Sequence, residues 1–212
     1  MSIEKILSRR DRKKKKTQEA LEATAWRLFQ RKGYDQTTIE DITEAVDVST
    51  RTFFRYFDSK EAVLFGNWRS NLPIVSELIL SRPPEEPPAV ALHEASKELV
   101  ELYMAERSKV LMRKKLAATS KYIGDYERNV VFAALEDTIT EALAQRLNLD
   151  PETDLLPSLY AAVAVGVFYA AKMVWLANDG QVSMHDLLEQ AFRHLTGQAD
   201  NGSNRIERNK VS

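Results

Sequence analysis

The 212-residue sequence has no cysteine, which excludes a disulfide framework, a thiol nucleophile and any cysteine-based zinc site. Its three histidines, His93, His185 and His194, are scattered and form no close-spaced ligand set, so no metal and no other cofactor is expected. No serine sits in a nucleophile elbow, no GxxxxGK loop is present for a nucleotide, and no GxGxxG follows a strand pattern, so nothing marks the chain as an enzyme. No stretch approaches eighteen uninterrupted apolar residues, so no membrane span is expected. Ile3, Ile6 and Leu7 do not make a secretory signal core, because charges follow at once. A cytoplasmic location fits these absences.

What is present is ordinary for a globular chain, with 44% hydrophobic and 29% charged residues. The charge is spread unevenly, however. Residues 1–70 hold fifteen Lys or Arg against eleven Asp or Glu, a net of +4, and the remainder holds fifteen against twenty, a net of −5. A basic head on an acidic body places any polyanion at the head. Within residues 9–16, seven of eight side chains are basic. Such a run fits nucleic acid, an anionic membrane or a solvated tail.

The hydrophobic spacing predicts helices throughout and no strand, hence an all-α fold. From Lys15 to Lys32, Leu21, Ala25, Leu28 and Phe29 share one face, and Gly33 ends the helix. Thr38 is placed to cap the next helix, with Asp41 three residues on as its acidic partner and Ile39, Ile42 and Val46 facing inward. Asp47-Val48-Ser49 forms a turn in which Gly would sit more easily than Asp. A third helix covers roughly residues 50–57, with Phe53 and Phe57 one turn apart. Ser59 caps a fourth that runs from Lys60 through Trp68, Leu72, Val75 and Ile79, with a kink or break at Pro73. SRPPEEPP at 81–88 is a loop, followed by helices near 89–105, 107–119 and 122–147. The segment 159–176 is the most apolar in the chain, and its Ala162, Val163, Gly166 and Ala170 would let another helix approach closely; the centre of a monomer core fits it equally. A last helix spans about 184–197. The expected division is a flexible basic arm at 1–14, a compact helical head at 15–60, an all-helical body at 61–198, and a disordered tail at 199–212.

Two short helices joined by a tight turn, the second opening with polar side chains, fit a helix-turn-helix. Thr50, Arg51 and Thr52 then face base edges in the major groove of double-stranded DNA. Arg51 is the strongest base reader, because its planar fork pairs with both acceptors on guanine. The Tyr56 hydroxyl suits a phosphate or a water. Lys60, a cation in the first turn of a helix, opposes the helix dipole unless phosphate binds there. Thr38 is placed both to cap and to meet a phosphate. Arg12, Lys13 and Lys14 of the basic run would track the DNA backbone.

At these residues the chain resembles the TetR family of transcriptional repressors. The resemblance covers about Lys15 to Leu64 and is carried by AWRLFQRKGYDQTTIEDITEAVDVSTRTFFRYFDSKEAVL, starting at Ala25. It implies DNA contacts by Thr38, Ser49, Thr50, Arg51, Thr52, Tyr56 and Lys60. Two departures stand out: Phe54 replaces a Tyr whose hydroxyl usually binds phosphate, and Asp47 replaces a common Gly. The family implies a homodimer formed through the last two long helices, here about 155–178 and 184–197. It also implies a small-molecule effector held between helices that follow the fourth, whose binding shifts that helix and releases a palindromic operator. Apolar candidates for lining the effector pocket are Trp68, Tyr103, Met112, Tyr126, Phe168 and Trp175. Arg113, Lys114 and Lys115 suit either an anionic ligand or a solvated helix face. The competing reading is a helical scaffold, or an adaptor on anionic membranes, without sequence-specific DNA binding.

Overall fold

The computed structural model describes residues 9–66 and 68–197, leaving aside the side chain of Arg9. Helix α1 spans Arg9–Lys32, so residues 9–14, expected as a flexible arm, are helical. Lys and Arg are good helix formers. The run is further tied by Thr17 Oγ1, which donates to the Lys13 carbonyl at 3.0 Å, and by a Lys15–Glu19 ion pair at 3.9 Å one turn apart. Residues 1–8 of the expected arm and the tail at 199–212 lie outside the described residues. Leu21, Ala25, Leu28 and Phe29 form the buried stripe of α1, and Gly33 ends it with φ +87°.

Helix α2 (Ile39–Glu44) opens with a reciprocal cap: the Asp41 amide donates to Thr38 Oγ1 at 3.1 Å, and the Thr38 amide donates to Asp41 Oδ2 at 2.7 Å. Asp47 takes the left-handed conformation at φ +57° that the turn demands. Helix α3 (Thr50–Phe54) is capped by Ser49, and α4 (Lys60–Phe65) by Ser59. Phe53 and Phe57 lie inside with Ile42, Trp26, Phe29 and Tyr34, which fixes α2 and α3 relative to α1. The same core takes in Val63 and Leu64 of α4, as well as Leu116 and Ile123 from far along the chain. The packing therefore does not divide at residue 60, and head and body share a hydrophobic seam.

The fourth helix is not continuous to residue 79. It stops at Gly66, φ +59°; a 3-10 turn follows at Trp68–Asn71, and α5 begins afresh at Leu72–Leu80. Pro73 falls in the first turn of α5, where its missing N–H costs nothing. The body continues with α6 (Pro88–Ala105), α7 (Arg107–Ala117) and α8 (Lys121–Tyr126). Helix α8 passes through π-helical turns at Glu127–Phe132 into α9 (Ala133–Leu147); α10 (Leu155–Ala177) and α11 (Met184–Leu195) follow. Among the described residues there is no strand. The Arg146 guanidinium of α9 pins the proline-rich 81–88 loop by donating to the carbonyls of Arg82 (2.8 Å), Pro83 and Glu86 (3.1 Å). The turn from α10 to α11 requires glycine at 180: φ is +72°, and a Cβ there would sit 2.8 Å from the Trp175 ring.

By length and hydropathy α10 could cross a bilayer, although Lys172 interrupts it. In the fold it packs against α9, α11 and α6, as the central helix of a bundle. Its inner face, with Ala161, Val165, Ala171 and Trp175, is buried. Its outer face carries exposed Leu155, Leu159, Val163 and Val174, together with exposed Ala162, Gly166 and Ala170. The small residues at helical spacing thus face outward, away from the core of one chain.

Candidate DNA-reading face and effector cavity

Helix α3 has one buried face and one open face. Phe53 anchors it from behind, and Arg51 is exposed in front, with Thr50 and Thr52 partly exposed on either side. Ser49 accepts from the Thr52 amide at 3.2 Å and lies 3.0 Å from the Thr52 hydroxyl, so both side chains help to hold the first turn. Phe54 presents an apolar ring that is 53% exposed. Beside it, the Arg55 guanidinium donates to the Tyr56 hydroxyl at 3.1 Å and lies 5.0 Å from that ring. Arg55 is a further cation on the open face, and its place in FFRYF gives no facing signal in the sequence apart from the neighbouring buried aromatics.

Thr38 is exposed and retains its cap. The Lys32 ammonium and the Thr38 amide and hydroxyl hold the Asp41 carboxyl down to about 2. Lys60 behaves differently from the expectation of an open phosphate ligand. Its ammonium donates to the carbonyls of Tyr34 and Thr37, both at 2.9 Å, and lies 4.1 Å from the Tyr34 ring centre. The Tyr34 hydroxyl in turn donates to Glu61. Lys60 therefore ties the start of α4 to the turn before α2. Arg12, Lys13 and Lys14 are exposed near the start of α1. Cations there oppose the helix dipole, a placement that an anionic partner would relieve.

Three of the six expected ligand-lining residues, Trp68, Tyr103 and Phe168, come together around a cavity of about 390 Å³ where α4, α5, α6, α7, the π-helical turns and α10 meet. The other three do not line it. Met112 borders an open groove between α1 and α7, Tyr126 packs on Phe65 at 5.3 Å, and Trp175 is fully buried beneath the α10–α11 turn. The groove is larger, about 640 Å³, and is bordered also by Glu19, Glu22, Gln30, Ser108 and Lys109. The smaller cavity sets Trp68, Leu99 and Phe168 beside polar groups that include Arg113, Glu106 and Glu127, a mixed lining of the kind that can orient a ligand.

Those polar groups were not legible from the sequence. Arg113 points inward, donating to the Leu64 carbonyl at 2.9 Å and covering the Phe65 ring at 4.8 Å. Lys114 likewise binds the Leu176 carbonyl and Asp179, so the solvated-face alternative holds for Lys115 alone. Lys172, buried in α10, pairs with Glu127 of the π-helical turns and lies 5.0 Å from the Phe132 ring. Burial pushes both Arg113 and Lys172 below their usual values, against the pull of Glu127. Tyr103 lines the cavity; its buried hydroxyl has no hydrogen-bond partner among the described residues and is pushed up by burial.

Comparison with known proteins bears on both sites. Residues 21–65 match the tetR family of bacterial regulatory proteins, and residues 86–200, more than half of the chain, match the MftR C-terminal domain. The chain is 29% identical over 177 residues to the HTH-type transcriptional regulator TcmR of Streptomyces glaucescens, covering 78% of this chain and 76% of that protein. It is 25% identical over 185 residues to a Mycobacterium tuberculosis protein named as a mycofactocin biosynthesis transcriptional regulator, MftR, covering 87% and 92%. Thermus thermophilus FadR, a TetR-family repressor solved with lauroyl-CoA, shares the fold with a TM-score of 0.56 and 22% identity over 90% of this chain and 99% of its own. The exposed α3 face, the cavity behind α4 and these matches lead to one conclusion: the chain belongs to the tetR family of bacterial regulatory proteins, ligand-responsive homodimeric DNA-binding regulators of transcription rather than enzymes.

Proposed function

We propose that the protein represses transcription by presenting two copies of α3 to a palindromic operator, and that a small molecule in the α4–α7 cavity releases it. The observation that carries this reading is Arg51, exposed on a helix whose opposite face is locked into the core by Phe53. Arg51 reads a guanine edge, Thr50 and Thr52 contact bases or phosphates, and Ser49, Thr38 and Tyr56 meet the backbone. Arg12, Lys13 and Lys14 add sequence-independent attraction. Lys60 positions the Thr38 turn from behind. In this reading residues 15–60, with the basic residues just before them, bear the DNA contacts, and residues 61–198 bear the effector and the dimer seam.

The outer face of α10 supplies that seam. Leu155, Leu159, Val163 and Val174 are exposed apolar side chains on one long helix, and nothing lies within 4 Å of a Cβ built on Gly166. A second copy packed there leaves the two α3 helices related by a two-fold axis, the symmetry that a palindrome matches. The test is selection of bound duplexes from a random pool. A recovered palindrome is expected, and Arg51→Ala should relax preference at one base pair per half-site, costing ~1–3 kcal/mol there. Uniform weakening on every duplex would assign Arg51 to phosphate instead, and absence of any preferred duplex would leave the scaffold reading standing.

A further inference from the structure

Among the described residues of the head, Phe54 is the one large hydrophobic side chain left exposed, at 53%. Trp26, Phe29, Tyr34, Phe53 and Phe57 are all buried, and Tyr56 packs partly against the same core. Phe54 meets the Phe53 ring edge to face, with centroids 5.5 Å apart, and its other side is open. Single exposed apolar residues are ordinary on a protein surface. This one is set apart by its neighbours. It follows Arg51 by three residues, so the two share one side of α3, and exposed Arg55 comes next. Helix α3 carries no carboxylate, and Asp58 beyond it is paired with Arg69 at 2.7 Å. An apolar ring between two exposed guanidiniums suits a surface that is anionic overall and offers an apolar group within reach. Duplex DNA is such a surface: phosphates flank the major groove, and the thymine 5-methyl is the methyl group that base edges present there.

Resting on the reading of α3 as the DNA-reading helix, we infer that Phe54 is a specificity-determining residue that reads a thymine through its 5-methyl group, close to the guanine read by Arg51. A phenyl ring has no donor or acceptor for a phosphate, so its contribution comes from apolar contact. The polar work beside it is already assigned: the Arg55 guanidinium holds the Tyr56 hydroxyl at 3.1 Å, and both can turn to the backbone. Three residues of helix advance about 4.5 Å and one base pair about 3.4 Å, which puts the thymine within roughly two base pairs of the guanine. Each half-site is then read twice by one helix, at a guanine through hydrogen bonds and at a thymine through a methyl.

The experiment uses the full chain and the duplex recovered from the selection, with each thymine of a half-site replaced in turn by deoxyuridine. That exchange keeps the pairing and the hydrogen-bonding edge and deletes the methyl alone. One position beside the guanine that Arg51→Ala relaxes should lose roughly fourfold in affinity per half-site, the factor for one methyl group removed from contact. In Phe54→Ala the thymine duplex should bind more weakly, and the deoxyuridine exchange at that position should have no further effect. The wild-type series needs no variant. A preferred palindrome indifferent to every deoxyuridine exchange would overturn the inference and leave α3 as the reader. Sensitivity retained in Phe54→Ala would give the methyl to another side chain, and equal weakening of the variant on thymine and deoxyuridine duplexes would place the ring on a sugar; either result overturns the inference. Absence of any preferred duplex would overturn the reading beneath it and the inference with it. Vesicles of anionic phospholipid bound by the wild type but not by Phe54→Ala would then assign the ring to a membrane.

Discussion

Lys60→Met separates two roles for a residue that a DNA-binding motif alone would assign to phosphate. In the fold its ammonium donates two hydrogen bonds of 2.9 Å to the Tyr34 and Thr37 carbonyls and lies over the Tyr34 ring. Met keeps most of the apolar stem and removes the charge. A hydrogen bond from a charged donor contributes about 1.5–3 kcal/mol when well shielded, and an exposed cation–π contact about 0.5–1 kcal/mol. Lys60 is only partly buried, so water recovers part of this, and a loss of about 2 kcal/mol is expected. For a chain of this length that lowers Tm by roughly 4–8 °C. Operator affinity should fall as well, because the turn that presents Thr38 loosens, yet the slope of log K against log salt should stay unchanged. Paired thermal melts and salt titrations of wild type and variant give both quantities. An unchanged Tm with a slope reduced by about one would refute the reasoning, since that is the signature of a lost phosphate contact.

Phe53→Ala should destabilise the head by about 3–5 kcal/mol in urea unfolding, because Phe53 is fully buried where α1, α2 and α3 meet. Acid should weaken the α2 cap. The folded Asp41 carboxyl titrates at about 2, below the ~3.9 of an unfolded Asp, so its contribution is complete above about pH 4 and disappears as pH falls towards 2. The Tm difference between wild type and Asp41→Asn should shrink over that interval, and a constant difference would mean that the cap is not ionic. Leu159→Arg on the outer face of α10 should yield monomers in sedimentation with an unchanged helical circular dichroism spectrum. A dimer that survives would place the seam elsewhere.

The candidate DNA-reading face is legible in the sequence because it is local. Thr38 and Asp41, three residues apart, announce a reciprocal cap, Asp47 marks the turn, and Phe53 and Phe57 one turn apart mark which side of α3 faces inward. The candidate effector cavity is legible only in part. Trp68, Tyr103 and Phe168 stood out as large apolar or aromatic residues, but so did Tyr126 and Trp175, and nothing in periodicity distinguishes an aromatic that lines a void from one that fills it. The sequence points to Pro73 for a break in the fourth helix, and the break falls at Gly66. A proline is harmless in a first turn, whereas Gly66 adopts a positive φ that only its tertiary setting required.

Sequence alone determined most of the helices, the caps at Thr38 and Ser59, the basic head and the exposed Arg51, since each follows from spacings of a few residues that one helical turn or one capping hydrogen bond imposes. Only the tertiary structure decided that Lys60 turns back onto two carbonyls, that Arg113 points inward to the end of α4, and that Lys172 and Glu127 meet across helices. Those contacts join residues 23 to 49 positions apart, and a cation on a long flexible stem shows no preference for water or core until the surrounding helices have closed around it.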